Sequence, residues 1–438
     1  MPDSIFHPDF KSLPYWWEAW RPTADWAEAP VPTRTDVAIV GAGYTGLSTA
    51  IELADSGIEA TVIEAHEPGF GASTRSGGGV SGGVNVGKSF SGKSIDPGSE
   101  RAAGMLHDAG DAFSLIERII DRESIQCFWE KRGRFVGAWT PKHYESLAKR
   151  VEALNRAAQS GSFMVPRERQ REEMASDYYY GGMVVERSGK LHPALYYKGL
   201  LDAALRRSVT ICAKAPVTKI ARNGTRWRLE TARGAIEADE VVIATNGYTG
   251  DVTPRLKRRV IPLASHIIAT EELSSDLAAS LIPKGRTLAD TRRVLCYYRI
   301  SPDGKRVIFG GRARFTPVTP ETSAPILHRF MLDRFPQLRG VRVTHAWTGN
   351  VAFTLDAVPH MGLDDGMHYA LGCNGSGVAM MTYLGYQTAR KIAGKANAVC
   401  AFDAPEFPDH PLYSGKPWFL PFVGGYYRMR DSMDRLLA

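Results

Sequence analysis

Three glycines and one glutamate near the start of the chain have the types and spacing of a site for a pyrophosphate and a ribose. Gly41, Gly43 and Gly46 follow a short apolar stretch, and Glu64 lies 23 positions after the first glycine. The first glycine permits a tight turn, the second lets a pyrophosphate approach the backbone, and the third lets a helix pack on a strand. The acid accepts hydrogen bonds from ribose hydroxyls. Together they predict a dinucleotide-binding unit.

Two more glycine-rich stretches occur later, at residues 69–83 and 372–377. Dense glycine indicates either a flexible loop or a backbone pressed against a ligand. Because residues 69–83 directly follow the predicted ribose-binding acid, we favour the interpretation that their backbone lies against a ligand. Residues 368–392 repeat the strand, glycine turn and helix of the first unit.

Strands that end at these glycines and helices that begin there must position the motifs. Continuous or alternating apolar residues predict strands, and helical spacing predicts helices. We expect strands near 36–40, 61–63, 210–212, 226–230, 235–238, 239–244, 260–270, 294–312 and 368–371, and helices after 46 and at 98–123, 143–158, 193–207 and up to 392.

Nucleotide-binding elements lie at both ends and in the middle of the chain, so the cofactor domain is expected to be discontinuous. The predicted parts are an aromatic arm at 1–30, a cofactor domain at 31–90, 186–250 and 341–400, a substrate domain at 91–185 and 251–340, and a C-terminal docking segment at 401–438.

The composition excludes several classes. With 438 residues, 44% hydrophobic and 23% charged, the chain is typical of globular proteins. No apolar run is long enough to cross a bilayer, and the first residues lack a signal-peptide pattern. Five cysteines without C-x-x-C spacing favour a reducing cytoplasm and no metal site. The net charge is +7, but no nucleic-acid-binding motif accompanies the basic residues, so we expect no nucleic-acid partner.

The residues also resemble the D-amino-acid oxidase/glycine oxidase superfamily of FAD-dependent amine oxidases. The motifs that carry the resemblance are residues 40–54, 69–78, 244–262, 297–312, 347–349 and 375–385, in the expected order. Within the superfamily they are most similar to the bacterial γ-glutamylputrescine oxidoreductase branch. The resemblance implies an α/β (α+β) fold, with a glutathione-reductase-type Rossmann FAD-binding domain assembled from discontinuous segments beside an antiparallel-sheet substrate domain.

The resemblance implies FAD as the cofactor and assigns its contacts. The first motif would hold the adenosine and pyrophosphate, Val217 the adenine, and the late glycine turn the pyrimidine side of the flavin. A helix N-terminus at that turn offers N–H donors to the negative charge of the reduced ring. The implied cofactor residues are Gly41, Ala42, Gly43, Tyr44, Thr45, Gly46, Glu64, Ala65, Gly71, Ala72, Ser73, Thr74, Arg75, Ser76, Gly77, Gly78, Val217, Thr245, Gly247, Gly349, Gly375, Ser376, Gly377 and Val378.

Three positions bear on how the flavin is held and reoxidised. Ser76 stands where many relatives have Asn, and Ser376 where many have His, so the electron acceptor stays open between oxygen and another acceptor. Residues 296–303 resemble the monomeric sarcosine oxidase segment in which a Cys bonds the flavin. The γ-glutamylputrescine branch usually lacks that Cys, so we predict a buried Cys296 without a flavin bond; a thioether is the alternative.

The resemblance implies oxidation of the C–N bond of a primary or secondary amine, with hydride transfer to flavin N5 and hydrolysis of the imine. The cofactor carries this chemistry and the protein orients the substrate. The candidate catalytic residues are Tyr248, His266, Tyr298 and Trp347. Arg299 and Arg312 are candidates to bind a substrate carboxylate, and each also suits a structural ion pair.

Other classes stay open. A flavin monooxygenase would share the first motif, although residues 355–362 fit the amine-oxidase pattern better. A non-catalytic flavin- or nucleic-acid-binding protein would show no flavin bleaching with any amine. A pyridine-nucleotide dehydrogenase would need no glycine cluster at 69–83.

Overall fold

Two large β-sheets form the framework of the protein. The structure is a computed structural model and describes residues 4–23, 26, 29–81, 96, 98–395, 399–403 and 406–438. Its strands are β1 (Phe6–Lys11), β2 (Arg34–Val40), β3 (Ala60–Ile63), β4 (Gly79–Ser81), β5 (Arg134–Gly137), β6 (Ser162–Val165), β7 (Gly182–Val185), β8 (Ser188–Lys190), β9 (Thr210–Cys212), β10 (Val217–Asn223), β11 (Arg226–Thr231), β12 (Gly234–Ile243), β13 (Ile261–Thr270), β14 (Thr287–Asp290), β15 (Cys296–Ile300), β16 (Val307–Gly311), β17 (Val343–Phe353), β18 (His360–Asp364) and β19 (Met367–Leu371).

Helices cover the sheets and connect their strands. They are α1 (Tyr44–Asp55), α2 (Glu100–Glu123), α3 (Pro141–Ala158), α4 (Pro193–Arg206), α5 (Pro254–Lys257), α6 (Ser275–Leu281), α7 (Pro320–Arg334), α8 (Gly377–Ile392) and α9 (Leu420–Leu436). Short 3-10 turns occur at Tyr15–Glu18, Ala72–Thr74, Arg167–Glu172, Asn246–Tyr248 and Pro336–Leu338. A helix with the length and apolarity needed to cross a membrane is not found among these described elements.

The first sheet has eight strands and a parallel centre. Strands β9, β3, β2, β12 and β19 lie side by side and run parallel. Strands β10 and β11 continue from β12 as an antiparallel meander, and β18 pairs with β19. Central strands such as β3 are buried along their whole length, as expected where helices cover both faces. This is the Rossmann arrangement predicted from the glycine motifs.

Helices α1 and α8 pack so closely that Gly385 has no room for a side chain. A Cβ atom at Gly385 would overlap the backbone of Thr45 in α1. Ser48 donates to the carbonyl of Thr382 at 2.7 Å, and Thr49 donates to the carbonyl of Gly385 at 3.0 Å. This contact fixes the N-termini of the two helices relative to each other.

The second sheet has nine strands in the order β1-β17-β13-β16-β15-β14-β5-β7-β6. Most of its pairs are antiparallel, and β1 with β17 and β14 with β5 are parallel. One face packs on α7 through a core that includes Phe309, Leu327 and Met331. The other face is turned toward the first sheet. The predicted antiparallel substrate sheet is therefore present.

The sheets divide the chain differently from the sequence-based boundaries in three places. β17 falls in the predicted cofactor segment 341–400 but pairs with β13 in the nine-stranded sheet. α2 falls in the predicted substrate segment, yet its apolar side packs in the core of the first sheet, with Met105 and Phe113 buried there. β1, in the predicted arm, is an edge strand of the nine-stranded sheet. The predicted boundary at residue 90 and residues 82–83 of the glycine stretch lie outside the described residues.

Candidate functional site

A cavity of about 690 Å³ lies between the two sheets. Its volume is typical of a site for a small molecule or cofactor. The first motif, Glu64 and residues 372–377 contribute to one side, and β13, β15 and β16 contribute to the other. The cavity therefore contains the motifs that the sequence placed together.

Two helices point their N-termini at the cavity without a side-chain cap. α1 begins after Gly43 and α8 begins after Ser376, and neither residue makes a side-chain cap hydrogen bond. By contrast, α2, α3 and α7 begin at Ser99, Thr140 and Thr319, whose hydroxyls accept from the first turn. Helix N-termini attract anions through their N–H groups and dipole. α5 and α9 also lack a side-chain cap, so it is the position of the α1 and α8 N-termini at the cavity that suits an anionic ligand.

Glu64 closes the nucleotide end of the cavity. Its carboxylate accepts from the backbone N–H of Ala42 at 2.8 Å and from that of His66 at 3.0 Å. Burial raises the pKa of Glu64, and the two backbone donors oppose the rise. These two donors orient the carboxylate beside the first glycine turn. The carboxylate lies on the cavity wall, at the place where the sequence predicts a ribose.

Three tryptophans hold the glycine loop, which we define as residues 69–78. The indole N–H of Trp16 donates to the carbonyl of Ser76 at 2.8 Å. That of Trp17 donates to the hydroxyl of Thr74 at 3.0 Å. The indole N–H of Trp347, on β17, donates to the carbonyl of Arg75 at 2.8 Å. The N-terminal arm and the nine-stranded sheet therefore support the loop from the side away from the cavity.

Tyr297 presses on the glycine loop from the substrate sheet. A Cβ at Gly77 would lie 2.9 Å from a carbon of the Tyr297 ring, and a Cβ at Gly310 would also overlap that ring. The Tyr297 hydroxyl lies 2.9 Å from the hydroxyl of Ser265. Burial raises its pKa to about 12, so it stays protonated at neutral pH. Tyr297 is not among the residues predicted from sequence; the signal that could have found it is the pair of glycines at 77 and 310.

Arg299 is buried where β15 meets the end of the glycine loop. Its Nη1 donates to the carbonyl of Leu191 at 2.8 Å and lies 3.4 Å from that of Gly78, and its Nε donates to its neighbour Ile300 at 3.1 Å. Its Nη2 is buried without a protein partner. Burial lowers the pKa of Arg299 to about 10, so it keeps its charge at neutral pH.

Arg312 lies at the opposite end of the same strand pair. Arg299 pairs with Ile308 on β16, and Arg312 is four residues beyond Ile308, a separation of about 13 Å at strand spacing. The guanidinium of Arg312 lies 4.8 Å from the centre of the Phe353 ring, and its Nη1 donates to the carbonyl of Arg293 at 3.1 Å. Burial lowers its pKa. The two guanidinium groups have different partners, Leu191 for Arg299 and Arg293 with Phe353 for Arg312.

Most of the residues predicted from sequence line the cavity. Gly46 and Thr74 do not: Gly46 packs under the first turn, where a Cβ would overlap the carbonyl of Gly41, and Thr74 donates to the carbonyl of Gly69 at 2.6 Å. Ser376 is also outside the lining. The predicted residues that line it are Gly41, Ala42, Gly43, Tyr44, Thr45, Glu64, Ala65, Gly71, Ala72, Ser73, Arg75, Ser76, Gly77, Gly78, Val217, Thr245, Gly247, Tyr248, Tyr298, Arg299, Arg312, Gly349, Gly375, Gly377 and Val378.

His266 and Trp347 do not line the cavity, so their expected place beside the reacting atoms is wrong. Ser265 and Ile267 line it, and His266 between them is absent from its wall, as strand alternation requires. Burial lowers the pKa of His266 to about 4. Trp347 is almost fully buried and holds Arg75 instead.

Tyr298 and Tyr248 occupy less central places than expected. The Tyr298 hydroxyl donates to that of Tyr179 at 3.2 Å in the core beneath the nine-stranded sheet. Its neighbour Tyr297 presents its ring to the cavity side. A sequence pattern predicts where a strand lies more reliably than which face of the sheet each side chain takes. Tyr248 is 43% exposed and lies beside Gly71 at the cavity wall. Burial raises the pKa of Tyr248, and the charge of Arg75 lowers it.

Cys296 is fully buried in the core that packs on α7. It is not among the cavity-lining residues, whereas the next residue, Tyr297, is. Burial raises the pKa of the Cys296 thiol to about 11, and a thiol rather than a thiolate is a poor nucleophile. This placement agrees with a Cys that does not bond the cofactor.

Comparison with known proteins identifies the family. Residues 36–391 match the family model described as DAO: FAD dependent oxidoreductase. The chain is 34% identical over 404 residues to the γ-glutamylputrescine oxidoreductase of Escherichia coli (strain K12), covering 91% of this chain and 93% of that protein. It is 32% identical over 388 residues to the probable oxidoreductase OrdL of Haemophilus influenzae, covering 87% and 88%.

Solved structures share the fold at lower identity. Glycine oxidase from Geobacillus kaustophilus superposes with a TM-score of 0.71 at 19% identity, over 87% of this chain and 99% of that one. L-proline dehydrogenase from P. horikoshii superposes with a TM-score of 0.70 at 18% identity, over 85% and 97%. These structures show the shared fold, and the family model over residues 36–391 with the relative at 34% identity shows that the chain belongs to the DAO family of FAD-dependent oxidoreductases.

Proposed function

We propose that this FAD-dependent oxidoreductase oxidises the C–N bond of a primary or secondary amine that also carries a carboxylate. The observation that carries the proposal is the placement of Arg312 on the wall that the substrate sheet gives to the cavity. An arginine beside a carboxylate makes a charge-assisted, often bidentate contact. The relative named γ-glutamylputrescine oxidoreductase supports this class, because a γ-glutamyl amine has both an amine and a carboxylate.

The residues on the cavity wall fit FAD. The pyrophosphate is anionic, and the N-terminus of α1 faces the cavity; its Tyr44 N–H donates to the hydroxyl of Ser73 at 3.2 Å, and the other N–H groups of the first turn would serve the pyrophosphate. Glu64 is positioned for the ribose hydroxyls, and the N-terminus of α8 suits the pyrimidine side of the flavin. The buried, unpartnered Nη2 of Arg299 offers a further donor beside Gly78. We therefore assign Arg299 to the cofactor side and Arg312 to the substrate.

When bound, FAD supplies the two-electron acceptor for the substrate. The protein then has to hold the amine carbon in place and exclude water. Arg312 would fix the carboxylate at one end of the strand pair, which limits where the amine can lie. Leu263 and Ile267 on β13 and Ile308 on β16 line the same wall of the cavity and would give the reacting carbon an apolar environment.

The protonation states of the wall support oxidation of a neutral amine. Tyr297, with a pKa near 12, can donate a hydrogen bond but does not accept a proton at neutral pH. His266 is outside the cavity wall. If the amine binds neutral, no dedicated base is required. The pH dependence of turnover is then expected to follow the amine of the substrate.

Two further assignments complete the proposal. We place the protein in the cytoplasm, because its five cysteines are all free and buried, as suits a reducing compartment. Oxygen or another acceptor can complete the cycle. Turnover in air would indicate oxygen as the acceptor, whereas turnover only with a redox dye in the absence of oxygen would indicate another acceptor.

The direct test is anaerobic mixing of the FAD-loaded protein with a panel of amines, N-substituted amino acids and γ-glutamyl amines. We expect loss of the flavin absorption band with carboxylated amines. No bleaching with any amine of the panel would contradict the proposal and favour a monooxygenase or a binding protein.

A further inference from the structure

A second cavity of about 500 Å³ adjoins the cofactor cavity. Leu263, Arg312 and Phe353 line both cavities. Because these three side chains form a shared wall, a molecule held by Arg312 in the first cavity lies next to the second. We call the second cavity the aromatic chamber; its outer wall is the C-terminal segment.

The outer wall of the chamber is rich in rings. Tyr413 and Phe419 meet at 5.7 Å between ring centres, and Phe315 meets Tyr427 at 6.1 Å, both edge to face. Trp418 and Tyr426 also line the chamber and are 60% and 52% exposed, which places them at its mouth. Such a surface suits an apolar group and offers it an entrance.

Polar contacts hold this wall in place. The Tyr413 hydroxyl donates to the carbonyl of Val260 at 2.8 Å. The carboxylate of Asp431, on α9, accepts from the backbone N–H of Val294 at 2.9 Å. Gly424 brings α9 against the Phe315 ring, where a Cβ would lie 2.6 Å from a ring carbon. The chamber is therefore preformed rather than assembled around a ligand.

The charge on the chamber wall selects the kind of group that fits. Among the described residues that line it, the basic groups are Arg312 and His410, and there is no Asp or Glu. An ammonium group in the chamber would find aromatic faces but no counter-ion, and it would lie near the positive charge of Arg312. An uncharged apolar group has neither problem.

We infer that the aromatic chamber binds an aryl or bulky alkyl group of the substrate, while Arg312 holds the carboxylate and the amine carbon lies in the cofactor cavity. This inference rests on the proposed function and makes it more specific. The preferred substrates are then carboxylated amines with a large apolar substituent, and small amino acids are poor ones. Burial of a phenyl group in a preformed apolar site is expected to tighten binding about tenfold or more.

Calorimetric titration of the FAD-loaded protein tests this without turnover. Butyrate and 4-phenylbutyrate share a carboxylate and differ by the phenyl group. We expect 4-phenylbutyrate to bind at least about tenfold more tightly. Phe419→Ala removes a chamber wall and Val423→Trp fills the chamber, and both should reduce this ratio below about threefold. Phe422→Ala is the matched control, because Phe422 lies on the same helix, is 74% exposed and does not line the chamber.

Equal binding of the two acids to the unchanged protein, or a ratio that survives both chamber variants, would overturn the inference. A change of particle mass in Phe419→Ala with an unchanged ratio would assign this surface to a second copy of the chain and would also overturn it. Because the titration needs no amine oxidation, a positive ratio with no flavin bleaching would refute the proposed function but keep the chamber. Flavin bleaching by small carboxylated amines, together with equal affinities for butyrate and 4-phenylbutyrate, would support the proposed function and refute the chamber inference.

Discussion

The indole N–H of Trp347 donates to the backbone carbonyl of Arg75 at 2.8 Å, so β17 of the nine-stranded sheet holds the glycine loop that follows Glu64. Trp16 makes the equivalent contact to the next carbonyl, that of Ser76. The two sheets are thus joined through the glycine loop. Changes on the substrate side are expected to affect the cofactor.

Trp347→Phe should weaken FAD binding although Trp347 does not line the cavity. The ring is kept and one hydrogen bond to a buried carbonyl is lost, which costs about 0.5–1.5 kcal/mol. Titration of the apoprotein with FAD, followed by flavin fluorescence, measures this. Trp418→Phe, at an indole that is 60% exposed, should leave the affinity unchanged. Equal affinities for both variants would show that the loop does not depend on this bond.

Gly77→Ala should displace the glycine loop, because the new methyl group would lie 2.9 Å from the Tyr297 ring. That ring also packs closely on Gly310, so it has little room to move away. Overpacking of this kind costs about 1–3 kcal/mol. Gly425→Ala is the control, since a Cβ there has no neighbour within 4 Å and Gly425 does not line the cavity. We expect weaker FAD binding and a lower unfolding temperature for Gly77→Ala only. Two indistinguishable variants would mean that Tyr297 moves freely.

Glu64→Gln should weaken FAD binding by about 1–3 kcal/mol, because the ribose hydroxyls lose an ionised acceptor. Glu59→Gln, at an exposed carboxylate, should have no effect on the FAD dissociation constant. A Glu64→Gln protein that binds FAD as tightly as the unchanged protein would remove Glu64 from the cofactor site.

Acid denaturation should release all of the FAD from the polypeptide, because the Cys296 thiol is buried in the core beneath the substrate sheet and is not on the cavity wall. Intact mass measurement and the colour of the precipitate check this. A chain heavier by one FAD, with the adduct lost in Cys296→Ser, would contradict the placement of Cys296.

The nucleotide half of the fold could be predicted from sequence because its signals are local. The glycines of the first motif and the strands around them were predicted within one or two residues, since tight turns and buried parallel strands restrict the residue types that fit. One difference is β12, which runs unbroken over the two strands expected at 235–238 and 239–244.

The substrate side could be predicted only in part, because it depends on which face of a strand each side chain takes. A shift of one position separates Tyr297 from Tyr298 and Ser265 from His266, and β-strand periodicity exchanges the faces at each step. The contacts of Trp16, Trp17 and Trp347 with the glycine loop join residues far apart in sequence, so no local pattern could reveal them. Trp16 and Trp17 belong to the aromatic arm predicted at 1–30, but the composition of that arm does not say which backbone groups its indoles contact.

Comparison of a carboxylated amine with its amide tests the central claim most directly. Anaerobic reduction of the bound flavin should be at least about tenfold more efficient with the acid, and Arg312→Gln should remove most of that preference, since a charged hydrogen bond contributes about 1.5–3 kcal/mol. Arg314→Gln, at a nearby exposed arginine, should keep it, and Arg299→Gln should act mainly on FAD affinity. An amide reduced as well as its acid, or an acid preference unchanged in Arg312→Gln, would contradict the account.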